Sequence, residues 1–291
     1  MSTVTEFQNA LIGAGVFLAA DVHVTPDGQL HRAHAADDKP GALSIWYVFH
    51  PDAPASGVAG NWRTGARLTW CSKRMTALSA TERAIIRERI EQDRKQHEAE
   101  KRDRHSNASE RASKIWSKSP PAAARHPYLD RKGIIPGIAR QSGPALVLPI
   151  VDFGGALHGL QFIAEDGGKK FLSGMSKAGH FIPVSGLPDG TKTLYIAEGY
   201  ATSATLQTLK PDVCHVAALD CGNLASVAQE ARKRWPDISL VICPDFDAIG
   251  QEKGKTAAIA SRAKILPMPA NIPDGCTDWN DWKAARKGVQ P

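Results

Sequence analysis

The sequence predicts an α/β protein: a parallel sheet flanked by helices in the C-terminal third, preceded by a β-rich subdomain, a charged helix and a small N-terminal α+β module. Three observations lead there. After Gly190, short apolar runs at 194–197, 213–219, 238–243 and 264–268 alternate with helical segments at 202–209, 224–235 and 252–263. Continuous apolar strands between amphipathic helices are the pattern of a parallel sheet buried on both faces. Between 145 and 172, apolar runs are separated by Gly154-Gly155 and Asp166-Gly167-Gly168, which is turn chemistry between strands. Between 79 and 118, Glu, Arg, Lys, Gln and Ala crowd together without Gly or Pro, a composition that suits a helix.

Residues 1–75 read as the α+β module, and their zinc-free character follows from the cysteines discussed below. The run 10–20 (ALIGAGVFLAA) has the length of a signal-peptide core, but Glu6 precedes it and no Lys or Arg does. It is also too short to span a bilayer, so it reads as a buried N-terminal helix or strand-helix piece. Pro26-Asp27-Gly28, Lys39-Pro40-Gly41 and Gly60-Asn61-Trp62-Arg63-Thr64-Gly65 then punctuate apolar runs such as 45–50 (IWYVFH), and predict a small antiparallel sheet.

Residues 76–119 form the charged helical connector. Ser79 and Glu82 have capping-box spacing at its start, and its apolar stripe is only Ile85, Ile86 and Ile90, so much of it is solvated. Pro120-Pro121 stop it, because proline lacks the amide donor and disfavours helix in the preceding residue. Residues 120–190 make the β-rich, basic subdomain, and residues 191–291 the parallel-sheet domain.

With 291 residues and 42% apolar side chains, the chain has material for a packed core. A formal charge of +6 favours polyanionic partners, since Lys and Arg displace counterions from phosphate backbones. The five cysteines, Cys71, Cys214, Cys221, Cys243 and Cys276, are odd in number and contain no CxxC pair. Neither a disulfide framework nor a zinc ribbon is suggested; the expectation is a reduced, cytoplasmic compartment, no zinc and no membrane partner.

In an open parallel sheet, ligands sit beyond the carboxyl ends of the strands. Glu198 follows the first strand and precedes Gly199; Asp245 and Asp247 follow the third, in Pro244-Asp245-Phe246-Asp247-Ala248-Ile249-Gly250. Acidic side chains gathered at one sheet edge repel one another, and a divalent cation is the usual remedy. Mg2+ or Mn2+ suits them, which points to phosphoryl or nucleotidyl transfer with the ion neutralising the reacting phosphate. Taken alone, Asp-x-Asp reads first as a turn former or helix cap; the combination with strand, Glu-Gly and helix is far more restrictive. No P-loop occurs, because the Gly-Lys-Thr at 254–256 lacks its spacing. Lys253 and Lys255 lie in the helix that follows Asp247 and are candidates for a nucleotide phosphate.

The stretch Leu194-Tyr195-Ile196-Ala197-Glu198-Gly199-Tyr200-Ala201-Thr202, followed by Leu240-Val241-Ile242-Cys243-Pro244-Asp245-Phe246-Asp247, resembles the Toprim domain shared by bacterial-type primases, topoisomerases and certain nucleases. The resemblance implies a Toprim-like parallel sheet over about 193–282, with Glu198, Asp245 and Asp247 as its metal site. Asp278-Trp279-Asn280-Asp281-Trp282 is similar to an Asp-x-Asn-Asp stretch of phage and plasmid primases; helix capping by Asp278 is an equal alternative. Upstream, residues 126–133, 148–152, 159–162 and 169–174 resemble the subdomain that precedes Toprim in primase cores. That analogy makes Arg131 and Lys170, with Lys132 and Lys169 behind them, contacts for template or nucleotide phosphates.

The resemblance implies a DNA primase of a phage or plasmid system: single-stranded DNA as template, ribonucleoside triphosphates as substrates, and a separate replicative helicase or replication protein as partner. The missing zinc ribbon departs from the cellular pattern. Two rivals stay open. A Toprim nuclease would use the same carboxylates with water as attacker, and a non-catalytic DNA-binding adaptor would keep the fold alone. A topoisomerase needs a catalytic tyrosine on a further domain, for which too little chain remains.

Overall fold

The computed structural model describes residues 2–287; Met1 and 288–291, the two extremes of the expected first and last domains, lie outside the described residues. The chain divides into two units, Met1–Lys101 and Arg102–Pro291.

In the first unit, α1 (Thr3–Gly13) is capped by Ser2, whose hydroxyl accepts the Thr5 amide. The helix therefore starts well before the apolar run at 10–20 and stops where Gly13 and Gly15 (φ +75°) turn the chain; Val16 and Leu18 continue under the sheet. Strands β1 (His31–Ala33), β2 (Ile45–His50), β3 (Ser56–Asn61) and β4 (Arg67–Cys71) pair antiparallel in chain order. Alternation along β2 sends Ile45, Tyr47 and Phe49 into a core with Phe7 and Leu11. Phe7 stacks on Phe49 at 4.7 Å, and Gly57 makes room for it: a Cβ there would stand 2.7 Å from the Phe7 ring.

Helix α2 (Ala80–Lys118) opens with the expected reciprocal cap, the Glu82 amide donating to Ser79 Oγ at 3.1 Å and the Ser79 amide to Glu82 Oε2 at 2.9 Å. Its buried residues are Ala108 and Ala112, not the isoleucine stripe, of which Ile90 is exposed. The boundary between the two units falls inside this helix.

The second unit begins with the end of α2 and α3 (Pro127–Lys132). Strands β5 (Arg140–Ser142), β6 (Ala145–Val151), β7 (Leu157–Ile163) and β8 (Lys169–Phe171) form an antiparallel sheet in chain order. Ala112 lies against Val147 and Leu160 there; a small residue lets the helix backbone approach the strands. Pro149 is tolerated in β6 because β5 pairs only with Ala145 to Val147, so no ladder partner is left waiting for its missing amide.

The parallel sheet has the order β10-β9-β11-β12, from β9 (Leu194–Ala197), β10 (Cys214–Ala217), β11 (Leu240–Cys243) and β12 (Lys264–Ile265). Leu194, Ile196, Val216, Leu240 and Ile242 face α5 (Leu224–Arg234) and α6 (Ala248–Ser261). Ala197, Val241 and Cys243 face α4 (Tyr200–Leu209) and α7 (Trp279–Lys287). Phe181 and Ile182 tie the two sheets together, the first bridging Val151 and the second Ala217.

Near that junction the His158 and His180 rings meet at 4.0 Å between centroids with their planes tilted by 32°, and His158 Nε2 lies 2.9 Å from Asp152 Oδ2. Burial, with His158 as the larger repulsive neighbour and His105 beside it, pushes His180 down to about 4. A depressed folded-state value means that the neutral ring stabilises the fold above the ordinary 6.5, and that this contribution disappears as pH falls toward about 4. Thermal melts across that window should therefore fall more steeply for the native chain than for His180→Gln; parallel curves would contradict it.

Candidate metal and phosphate site

Strands β9, β10 and β11 end level, because Ala197 pairs with both Ala217 and Cys243. The residues that follow each strand therefore emerge together. Glu198 leaves β9 and is only 9% exposed; its Oε1 accepts the Asp245 amide at 3.0 Å across the sheet edge. Asp245 leaves β11, and its Oδ1 is buried with no hydrogen-bond partner among the described residues. Gln251 Nε2 holds the Asp245 carbonyl at 2.8 Å. Asp247 caps α6, its Oδ1 accepting the Gly250 amide at 2.7 Å. The capping alternative for this aspartate is thus realised, while its charge is felt at Glu198 and Asp245.

The electrostatics are those of crowded acids. Burial pushes the Asp245 carboxyl up to about 8, with Glu198, Asp278 and Asp247 adding repulsion and Lys169 opposing it. Burial likewise raises Glu198, against the Asp245 amide that lowers it, with Asp247, Asp220 and Asp278 as further negative neighbours. Among the described residues no three His, Cys, Asp or Glu side chains stand close enough to cage an ion as they are placed. What the site presents is one orphaned, buried carboxylate oxygen with a second carboxylate bonded to its backbone. A bare carboxylate oxygen among other acidic side chains is a donor set that fits a hard divalent cation.

Gly250 is the glycine this arrangement requires. A Cβ there would lie 2.8 Å from Glu198 Oε1 and 3.0 Å from the Asp245 carbonyl, so only glycine lets the first turn of α6 close onto the site.

The other residues singled out from the sequence divide by what they touch. Lys169 acts on Asp245 electrostatically, and its ammonium lies 3.8 Å from where a Cβ on Gly199 would stand, which puts it over the strand end that carries Glu198. Lys170 is exposed on β8, and Lys253 and Lys255 on α6, the former 4.0 Å from Glu252. Arg131 donates to the Glu165 carbonyl at 2.9 Å and lies over the Tyr128 ring, so it braces the β7–β8 turn. Lys132 pairs with Asp281 at 3.1 Å. Asp278 caps the start of α7 through the Asn280 and Asp281 amides and also adds charge to the site. Asn280 is buried and donates to the Lys132 carbonyl and to Thr205 Oγ1, while Asp281 also accepts from Thr277. Asn280 and Asp281 thus fasten α7 to α3 and α4, and Asp278 alone of the three faces the carboxylates.

Asp220 is the acidic neighbour not singled out above. It follows β10, forms an ion pair with Lys177, and contributes to the field at Glu198. Its signal was available: it stands beyond the end of a parallel strand, the same position that marks Glu198 and Asp245.

Residues 193–287 match the Toprim domain family model. The chain is 32% identical over 278 residues, 90% of its length, to a DNA primase TraC of Escherichia coli. A second DNA primase TraC from the same organism is 32% identical over 255 residues. The chain spans only 19% and 23% of these relatives' own lengths. Among solved structures, a DnaG primase catalytic domain bound to single-stranded DNA aligns over 66% of this chain and 77% of its own, with TM-score 0.45 and 13% identity. The primase fragment of the bacteriophage T7 primase-helicase aligns over 55% and 69%, with TM-score 0.44 and 16% identity. The residues that match are the parallel sheet with its helices, a Toprim-like fold. No described helix is long and apolar enough to cross a membrane.

Proposed function

We propose that the chain is a template-directed primase that joins ribonucleotides on single-stranded DNA, with a divalent cation, Mg2+ or Mn2+, held by Asp245 and Glu198 and approached by Asp247. The observation that carries this is the buried, unpartnered Asp245 Oδ1 beside a second carboxylate at level strand ends. The Toprim match and the similarity to the TraC primases support it. A bound ion would supply charge neutralisation at the reacting phosphate and a more acidic attacking hydroxyl. The chain's own residues do the rest. Glu198 fixes the Asp245 loop through its amide, and Gln251 fixes it through its carbonyl, so the ligand oxygens are pre-positioned. Lys169 offers a cation for a substrate phosphate at the edge of that site, and Lys170, Lys253 and Lys255 offer exposed charge for the backbone of the template strand. A helicase or another replication protein is the expected partner, in a cytoplasmic setting.

The test is incorporation of labelled ribonucleotides on single-stranded template with Mg2+ or Mn2+. Short oligoribonucleotides support the reading. Degraded template with no product favours the nuclease, and binding without chemistry favours the adaptor.

Gly250→Ala probes the geometry independently. Its Cβ must displace Glu198 or the Asp245 carbonyl, so divalent-ion affinity should drop roughly 10- to 100-fold, the range expected when groups that orient metal ligands are disturbed. Alanine's better helix propensity offsets only part of that overpacking, so metal-free protein should melt somewhat lower, and the affinity is read well below that temperature. Titration with Mn2+ reads the affinity; unchanged binding would show that Gly250 does not set the site.

A further inference from the structure

The motif at Gly60 to Gly65 lies far along the chain from the carboxylates, and the sheet register explains it. Arg32 pairs with Trp46, Trp46 with Gly60, and Gly60 with Arg67, so these four residues form one row across all four strands. The row lies on the face of the sheet opposite the Phe7 core, since Ile45 and Tyr47 on either side of Trp46 point into that core. At its centre Gly60 leaves space for the Trp46 indole: a Cβ there would meet Nε1 at 2.8 Å. Trp46 thereby lies down across the sheet. Two residues beyond Gly60 on the same face, Trp62 stands with its ring centroid 5.6 Å from that of Trp46 and is 57% exposed. Arg32 lies over the Trp62 ring at 5.7 Å.

The presentation of Trp62 is rigid. Its amide donates to the Ser44 carbonyl, Asn61 Oδ1 accepts the Arg63 and Thr64 amides, and Arg63 pairs with Asp37. Gly65 closes the turn at φ +77°. Trp62 is thus an exposed indole beside the half-buried Trp46, and its backbone is held in place. Arg32 and Arg67 are exposed at the two ends of the row, and neither has an ion-pair partner among the described residues. The groove beside the indoles measures about 320 Å³ and is bounded on its other side by α2 residues. Of the two acids on that side, Asp93 is bonded to His50, while Glu100 accepts only the neutral Gln96 amide and keeps its charge.

We infer that this row is a stacking platform for unpaired bases of single-stranded DNA, with Trp62 and Trp46 taking base faces and Arg32 and Arg67 taking the flanking phosphates. Aromatic faces framed by unpaired arginines are complementary to both parts of a nucleotide, and stacking tolerates any base sequence. A duplex, whose bases are already stacked, cannot use it. The choice of DNA over RNA rests on the primase reading; the stacking surface itself does not.

The test is fluorescence anisotropy of the full chain with labelled oligodeoxythymidylate, oligouridylate and duplex DNA. Trp62→Ala should weaken oligodeoxythymidylate binding roughly 10-fold, as loss of one stacked base does, with little change on duplex. Trp62→Phe should recover most of the loss. Arg32→Ala with Arg67→Ala should reduce the slope of affinity against salt by about 1 to 2 phosphates' worth. A 5-bromodeoxyuridine oligonucleotide should photocrosslink at Trp62 or Trp46. Native-like binding by Trp62→Ala, or crosslinks confined to other segments, would overturn the platform. A larger loss on oligouridylate than on oligodeoxythymidylate would reassign the ligand to RNA. Because anisotropy reads binding alone, a native chain that fails to make primers but still loses affinity with Trp62→Ala would sink the primase reading and leave the platform standing.

Discussion

Asp245→Asn is expected to lower primer synthesis by roughly three orders of magnitude, equivalent to about 4 kcal/mol of barrier. The amide keeps the shape of the side chain and the space it fills but supplies no anionic oxygen at the position where Oδ1 is buried without a partner. Glu198→Gln should fall nearly as far, because the same side chain both offers an oxygen and accepts the Asp245 amide. Asn280→Ala is the informative contrast: it removes the bonds to Lys132 and Thr205 and should cost stability before chemistry. Steady-state incorporation at saturating ribonucleotide separates the two classes. Equal activity of Asp245→Asn and the native chain would remove the carboxylate from the mechanism.

The same substitution should stabilise the metal-free protein. The fold raises the Asp245 carboxyl from its ordinary 3.8 to about 8, so folded protein holds that proton more tightly than unfolded chain does. The resulting contribution is full below about 3.8 and is lost as pH rises through about 8. Above that pH the native chain carries an unpaired, half-buried charge that Asn lacks. Metal-free Asp245→Asn should then melt a few degrees higher than native protein at alkaline pH, and the gap should narrow steadily as pH falls from about 8 toward about 4. Adding Mg2+ or Mn2+ should close it again by stabilising only the native chain. A gap independent of both pH and divalent ion would mean that the carboxylate is not strained.

The parallel sheet was legible because its strands are continuous apolar runs closed by helices, and the strand-end rule then pointed directly at Glu198 and Asp245. The capping box of α2 was legible for the same reason: its chemistry is local and its spacing fixed. What anchors α2 was not. Ala108 and Ala112 continue with Ile115 and Trp116 at helical spacing, but two alanines among so many charges give that stripe little hydrophobic weight, and it is buried because the helix meets β6 and β7 closely. Likewise Arg131 and Lys132 look identical in sequence to Lys169, but the fold engages the first two in a turn and an ion pair and leaves the third beside the carboxylates. The row from Arg32 to Arg67 needed the register of four strands, which no local pattern in the Gly60 to Gly65 motif specifies.

The central claim, that level strand ends gather acids to hold a divalent cation, is tested most directly by anomalous diffraction from crystals soaked in Mn2+. A manganese peak bonded to Asp245 Oδ1 with Glu198 in its coordination sphere is expected, absent in Asp245→Asn crystals. Manganese found only at other carboxylates, with Asp245 still bare, would contradict it.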